Sequence, residues 1–145
     1  MTVANGAHVL AAIARDAMGN RGTATGVAVV VSNDTTAPTV SVTSPAGGAT
    51  VIGSITIGAA ASDNVGVVGV QFTLDGVNLG AEQPAAASYA MTWNSATVAN
   101  GAHVIAAVAR DAAGNQQTSS VTVTVANDTT PPTVTLTSPA AGAGR

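Results

Sequence analysis

Thr2-Val-Ala-Asn-Gly-Ala-His-Val-Leu-Ala-Ala-Ile-Ala-Arg-Asp-Ala-Met-Gly-Asn20 returns nearly unchanged as Thr97-Val-Ala-Asn-Gly-Ala-His-Val-Ile-Ala-Ala-Val-Ala-Arg-Asp-Ala-Ala-Gly-Asn115, a displacement of 95 residues. A second echo, Asn33-Asp-Thr-Thr-Ala-Pro-Thr-Val40 against Asn127-Asp-Thr-Thr-Pro-Pro-Thr-Val134, is displaced by 94. The first copy therefore carries one extra residue, placed near Gly26, which a β-bulge or a longer turn absorbs. A period of this length is too long for solenoid repeats of roughly 20 to 50 residues and suits whole domains of about 100. Each repeat is read as a domain.

The Asn-Asp-Thr-Thr-(Ala/Pro)-Pro segments are the junctions, because proline cannot join a central ladder and holds the residue before it extended. Cut there, residues 1–33 are the C-terminal part of a preceding repeat and 34–127 a complete domain. Residues 128–145 are a linker and the first strand of a following repeat.

Within the complete domain, period-two patterning dominates. Pro38 to Thr43 alternates valine with hydroxyl residues, and Ser44 to Gly48 is a turn. Ser54 to Ala61 is a second strand, closed by the turn Asp63-Asn-Val-Gly66. Val70, Phe72 and Leu74 share one face of a third, and Asp75-Gly76 is a strong tight-hairpin signal into a short edge piece, Val77 to Gly80. Pro84 to Ala87 reads as loop, after which Tyr89, Met91 and Trp93 alternate on another strand. His103 to Arg110 is alanine-rich enough for a helix, but two turns are too short to stand alone, and the flanking Asn-Gly and Gly-Asn favour a strand. Gln116 to Val125 closes the set. About seven strands in about 92 residues, with turn signals every 8 to 12, give an all-β sandwich with partial flanking repeats.

Composition narrows the function. The 145 residues carry four arginines and no lysine, a net charge of −3 and 8% charged residues. Scattered arginines make no positive stripe for phosphates, so nucleic acid is excluded as a partner. Apolar runs fall far short of the roughly 20 residues of a membrane span, and Met1-Thr2-Val3 begins no basic-then-apolar signal. The absence of cysteine removes a disulfide framework, a thiolate metal site and a cysteine nucleophile.

Asp-Thr-Thr-Pro-Pro-Thr-Val, Ala-Ala-Ala-Ser-Asp-Asn-Val-Gly-Val, Val-Gln-Phe-Thr-Leu-Asp-Gly and Gly-Ala-His-Val-Ile-Ala-Ala-Val-Ala-Arg-Asp-Ala-Ala-Gly-Asn, in that order, resemble the bacterial immunoglobulin-like tandem repeats. Those repeats occur in large secreted and surface proteins, adhesins included, and beside secreted hydrolases. The resemblance implies an immunoglobulin-like sandwich, an extracellular or cell-surface setting, and neighbouring repeats of the same chain as partners. A host surface or a polysaccharide follows as a further partner class. It also suggests a role for His103, near where related sandwiches place a tyrosine tied back to backbone. A partly buried histidine bonded to backbone is the reading preferred over a metal or proton role.

No catalytic constellation emerges. One histidine per repeat does not make a Ser-His-Asp site, Glu82 is the lone glutamate, and no zinc spacing, phosphate loop or dinucleotide fingerprint is present. The acids are more informative. Sandwich topology brings the linker, the turn after the second strand and the turn after the penultimate strand to one pole. Asp34, Asp63, Asn64, Asp111 and Asn115 should gather there, where their oxygens could hold calcium, the one cofactor this pattern points to. The plainer reading is a set of turns using side-chain-to-backbone bonds, with Arg110 partly offsetting the charge. Asp75 falls at the opposite pole, where it and Asp128 are expected to approach each other across the next junction. Phe72, Tyr89 and Trp93 fall in phase with core positions, which weakens a carbohydrate platform. The expected function is a non-catalytic spacer; a calcium-dependent adhesion module and, more weakly, a carbohydrate-binding accessory module are the alternatives.

Overall fold

A computed structural model describes residues 3–138 and Gly142. The strands are β1 (Gly6–Leu10), β2 (Ile13–Arg15), β3 (Arg21–Thr23), β4 (Val27–Val31), β5 (Thr39–Ser44), β6 (Thr50–Val51), β7 (Ser54–Ser62), β8 (Val67–Leu74), β9 (Val77–Asn78), β10 (Gln83–Pro84), β11 (Tyr89–Asn94), β12 (Gly101–Asp111) and β13 (Gln116–Val125). One 3-10 turn, Ser95–Thr97, is the sole helical element among the described residues. From β5 onward two sheets face each other. One runs β10-β8-β12-β13-β6 with β9 beside β8; the other runs β11-β7-β5. This is the immunoglobulin-like sandwich that the alternation predicts.

The core follows from that alternation. Ile57 and Ala59 of β7 and Tyr89 and Trp93 of β11 come from one sheet; Val70, Phe72, Ile105, Ala107, Ala109, Val123 and Val125 come from the other. The alanine-rich segment settles as strand because β12 pairs on both sides, with β13 and with β8, and buries Ile105, Ala107 and Ala109 in phase. A two-turn helix there would take away the central strand that β8 and β13 share. Each large apolar side chain so buried contributes about 1.5–3 kcal/mol. The Asp75-Gly76 turn joins Leu74 to Val77 with both central residues at positive φ, 50° and 82°, the geometry a two-residue hairpin asks for.

Two short elements depart from the sequence reading. The stretch after Ser44 is more than a turn: the chain leaves the β7 edge and Thr50–Val51 joins the other sheet, pairing parallel to Thr124–Val125 of β13. Gly48 N donates to Thr122 O (2.7 Å), Thr124 N to Ala49 O (2.9 Å) and Ala126 N to Val51 O (3.1 Å), extending that contact. Pro84, expected in a loop, lies in β10 opposite Gly69, at an outer edge where its missing N–H leaves no ladder bond unmade.

Ahead of the sandwich, β1 pairs with β4 and β2 with β3. Leu10 faces Val27 while Ile13 faces Thr23, so residues 24–26 oppose residues 11 and 12. That is the bulge expected near Gly26. Leu10 and Val27 are 63% and 61% exposed, whereas Ile105, the repeat mate of Leu10, is fully buried by the second sheet. Beyond β13, the described part of the expected third-repeat strand makes no pairing, and Val134 and Leu136 are exposed. The rest of that strand falls outside the described residues.

Candidate cation centre at the module entrance

Three chain segments meet where the linker enters the sandwich. Asp34 follows directly on the N-terminal hairpin and accepts from Thr36 N (3.0 Å), a local bond that fixes the start of the linker. Asp63 ends the segment after β7; its Oδ2 accepts from Val65 N and Gly66 N, both at 2.9 Å. Those two N–H donors, Gly66 first, hold its carboxyl below the ordinary carboxylate range. Gly66 itself sits at φ 145°, a backbone conformation open to glycine, where the turn leads into β8. Asp111 closes β12 in phase with Ala107 and Ala109 and is 1% exposed.

One carboxylate oxygen from each of Asp34, Asp63 and Asp111 lies within 4.8 Å of the other two. Asp63 Oδ1 is shielded from solvent and has no hydrogen-bond partner. Three converging carboxylates with one unpartnered buried oxygen suit a hard cation, which takes 6–8 oxygens from carboxylates, backbone carbonyls and water. The donor set therefore fits calcium.

Asn115 joins the cluster through its N–H groups. Its N–H donates to Asp111 Oδ1 (2.8 Å) and its Nδ2 to Asp111 Oδ2 (2.7 Å), with longer contacts of 3.3 Å to the carbonyls of Asp34 and Thr36. It ties the β12–β13 turn to the linker. Asn64 stands exposed at the tip of its turn, and its side chain makes no bond to the three aspartates. Arg110 does not offset the acids. The ladder to β8 slips between Arg110 and Asp111, and the Arg110 Nη2 goes to Glu82 Oε1 at 2.6 Å.

A hollow of about 960 Å³ beside the cluster is lined by Val3, Asn33, Asp34, Val65, Ala112 and their neighbours. Asp34 is the one titratable side chain lining it among the described residues. Phe72, Tyr89 and Trp93 are 1–4% exposed, and the sugar-stacking platform that exposed aromatics would give is not formed by them. His103 bonds to the Ala99 carbonyl as expected. Its second bond, to Asp75, was not foreseen, and it commits the carboxylate that the repeat suggested would approach Asp128.

A two-layer sandwich with a closed aliphatic and aromatic core, entered by a proline-bearing linker, defines the class as an immunoglobulin-like β module. The family model described as Bacterial Ig-like domain (group 3) matches residues 1–67 and 87–144, and that described as Bacterial Ig domain matches residues 38–107. The chain belongs to the bacterial Ig-like domains. Among solved structures it is similar to the fibronectin(III)-like modules of CbhA from Clostridium thermocellum, at 29% identity and a TM-score of 0.60. That alignment covers 86% of this chain and 65% of the other, so this chain spans under two thirds of its neighbour. It is also similar in fold to the endo-beta-1,4-mannanase from Thermotoga petrophila, at 15% identity and a TM-score of 0.56, over 66% of this chain and 21% of that one. No curated protein matches the chain. No helix among the described residues is long and apolar enough to cross a membrane.

Proposed function

We propose that this chain is a non-catalytic structural link of a secreted or cell-surface multidomain bacterial protein, with residues 1–33 and 128–145 belonging to the repeats on either side of the 34–127 module. Its partners are those neighbouring repeats, and its task is to space or present another domain. The observation that carries this reading is the parallel β6–β13 contact. Tension along the chain pulls the N-terminal strand region and the end of β13 in opposite directions, so the bonds from Gly48, Thr124 and Ala126 are loaded together in shear. The similarity to the CbhA fibronectin(III)-like modules supports an accessory role in a multidomain setting.

Stiffness at the junction is the first test. The Asn115 contacts to the linker carbonyls and the proline at position 38 restrict swing between units. Backbone ¹⁵N order parameters at Asp34 to Thr36 should match the rigid value of about 0.85; values below about 0.6 would mark a free hinge and count against a spacer.

A second reading, calcium at Asp34, Asp63 and Asp111 as the basis of a calcium-dependent adhesion module, is favoured by the buried, unpartnered Asp63 Oδ1. A ligand that binds only the native state raises unfolding free energy by about 2.7 kcal/mol at a hundredfold excess over Kd. Calcium at that excess should therefore raise Tm over a chelator control by roughly 10 °C or more, and at a concentration near Kd by a degree or two. An unchanged Tm removes this reading and leaves the spacer intact. Carbohydrate binding has less support, since Phe72, Tyr89 and Trp93 face the core.

A further inference from the structure

At the pole opposite the aspartate cluster, His103 stands between two hydrogen-bond acceptors. Its Nδ1 lies 2.7 Å from Asp75 Oδ2 and its Nε2 lies 2.8 Å from Ala99 O. A carboxylate and a carbonyl both need a donor, and a neutral imidazole has one N–H to give. Both bonds exist together when the ring is an imidazolium. The imidazole is 14% exposed and the Asp75 side chain 48%, so the ring is largely covered while the carboxylate stays open to water.

We propose that His103, Asp75 and the Ala99 carbonyl form a proton-operated latch that holds the linker-exit end of the module closed while the imidazole is charged and loosens it when the imidazole becomes neutral. Each tie has a mechanical consequence. Asp75 sits in the β8–β9 turn at φ 50°, and its Oδ1 also accepts from Val104 N (2.8 Å), so the turn is strapped across β12. Ala99 precedes Asn100, whose Nδ2 donates to Asn127 O (2.9 Å) and whose Oδ1 accepts from Asn127 N (2.8 Å). Asp128, the first linker residue, follows directly. Losing the Ala99 tie therefore loosens the root of the outgoing linker.

The repeat carries part of the arrangement. His8 Nε2 is 2.8 Å from Ala4 O, and Asn5 and Asn33 form the same amide-to-backbone clasp. The carboxylate tie is shown for His103 alone among the described residues.

The charges around the ring are few. Asp75 comes from the β8–β9 turn, β13 places Val123 opposite, and the segment from Ser95 to Asn100 is uncharged. Asp128 lines a shallow hollow with Ala99 and Asn100. The Asp75 bond first, then the Ala99 carbonyl, raise the His103 pKa above the ordinary histidine value; the Val104 N–H first, then His103, lower that of Asp75. The signs set the window. The histidine contribution is fully present below the unfolded value of about 6.5 and is lost as pH rises through the raised folded value. The aspartate contribution is present above about 3.8 and is lost as pH falls through the lowered one. The latch is shut between the two.

The test uses the full chain with His8→Gln, leaving one imidazole, and the same chain with Asp75→Asn added. Proton NMR follows the His103 ring from pH 5 to 10 while Tm is measured over the same range. The His103 midpoint should lie above about 6.5, the Ala99, Asn100 and Asn127 amides should shift with that midpoint, and Tm should fall by roughly 3–6 °C through it. Asp75→Asn should lower the midpoint and at least halve the fall. A midpoint at or below the unfolded value, or the same fall in Asp75→Asn, overturns the proposal. If Asp75→Asn does not fold, His103→Gln serves: it cannot titrate, so Tm should be flat across neutral and alkaline pH, and a retained fall overturns the latch.

Discussion

Asn115→Ala isolates the knot that joins the last turn of the sandwich to the incoming linker. The substitution keeps the backbone N–H that donates to Asp111 Oδ1 and removes the Nδ2 bond to Asp111 Oδ2 at 2.7 Å. A hydrogen bond to a charged group contributes about 1.5–3 kcal/mol, and the two 3.3 Å contacts to the linker add little at that length. Asp111 is 1% exposed, so water does not freely replace the lost donor. The expected loss is about 2–3 kcal/mol, read as a fall in the urea midpoint with an unchanged slope. The N-terminal hairpin supplies the contrast: Asn20 makes the same pair of bonds to Asp16, at 2.9 and 2.7 Å, but in an exposed setting. Asn20→Ala should leave the midpoint where it is, because water replaces an exposed hydrogen-bond donor at little cost. A loss below about 0.5 kcal/mol for Asn115→Ala, or equal effects at the two sites, would refute the argument from burial.

Ile57→Ala, at a fully buried position in the middle of β7, should cost about 3–4 kcal/mol in the same denaturation assay; a loss under about 1 kcal/mol would mean the two sheets do not close on it. Trypsin should cut first at Arg15 and Arg21, which lie exposed in short two-stranded pieces, and later at Arg110, which is paired to Glu82 within a strand bonded on both sides. First cleavage at Arg110 would contradict that order of local stability.

The large elements were legible because their signals are local. Val70, Phe72 and Leu74 alternate within one strand, and Asp75-Gly76 names its own turn. The two-residue β6 was not legible, since its pairing is set by β13 more than 70 residues away rather than by any pattern in Thr50 and Val51. The aspartate cluster could be anticipated because topology alone brings three loops to one pole. The bonds that Asn115 donates to Asp111 depend on a turn geometry that spacing does not encode. Arg110 pairs with Glu82 and not with the acids because successive side chains of a strand point to opposite faces, which sends Arg110 away from Asp111. The His103–Asp75 bond joins residues 28 apart through side chains at the end of one strand and the tip of a hairpin, and nothing in either local sequence announces it.

Pulling a tandem array of the 34–127 module from its two ends tests the structural role most directly. If the β6–β13 contact carries load in shear, each module should open in one discrete event that lengthens the chain by roughly 280 Å, the extended length of about 90 residues less the folded span. Thr124→Pro, which deletes the N–H donated to Ala49 O, should lower the opening force while the spacing of events stays the same. Gradual lengthening without discrete events, or a force indifferent to Thr124→Pro, would contradict a load-bearing link.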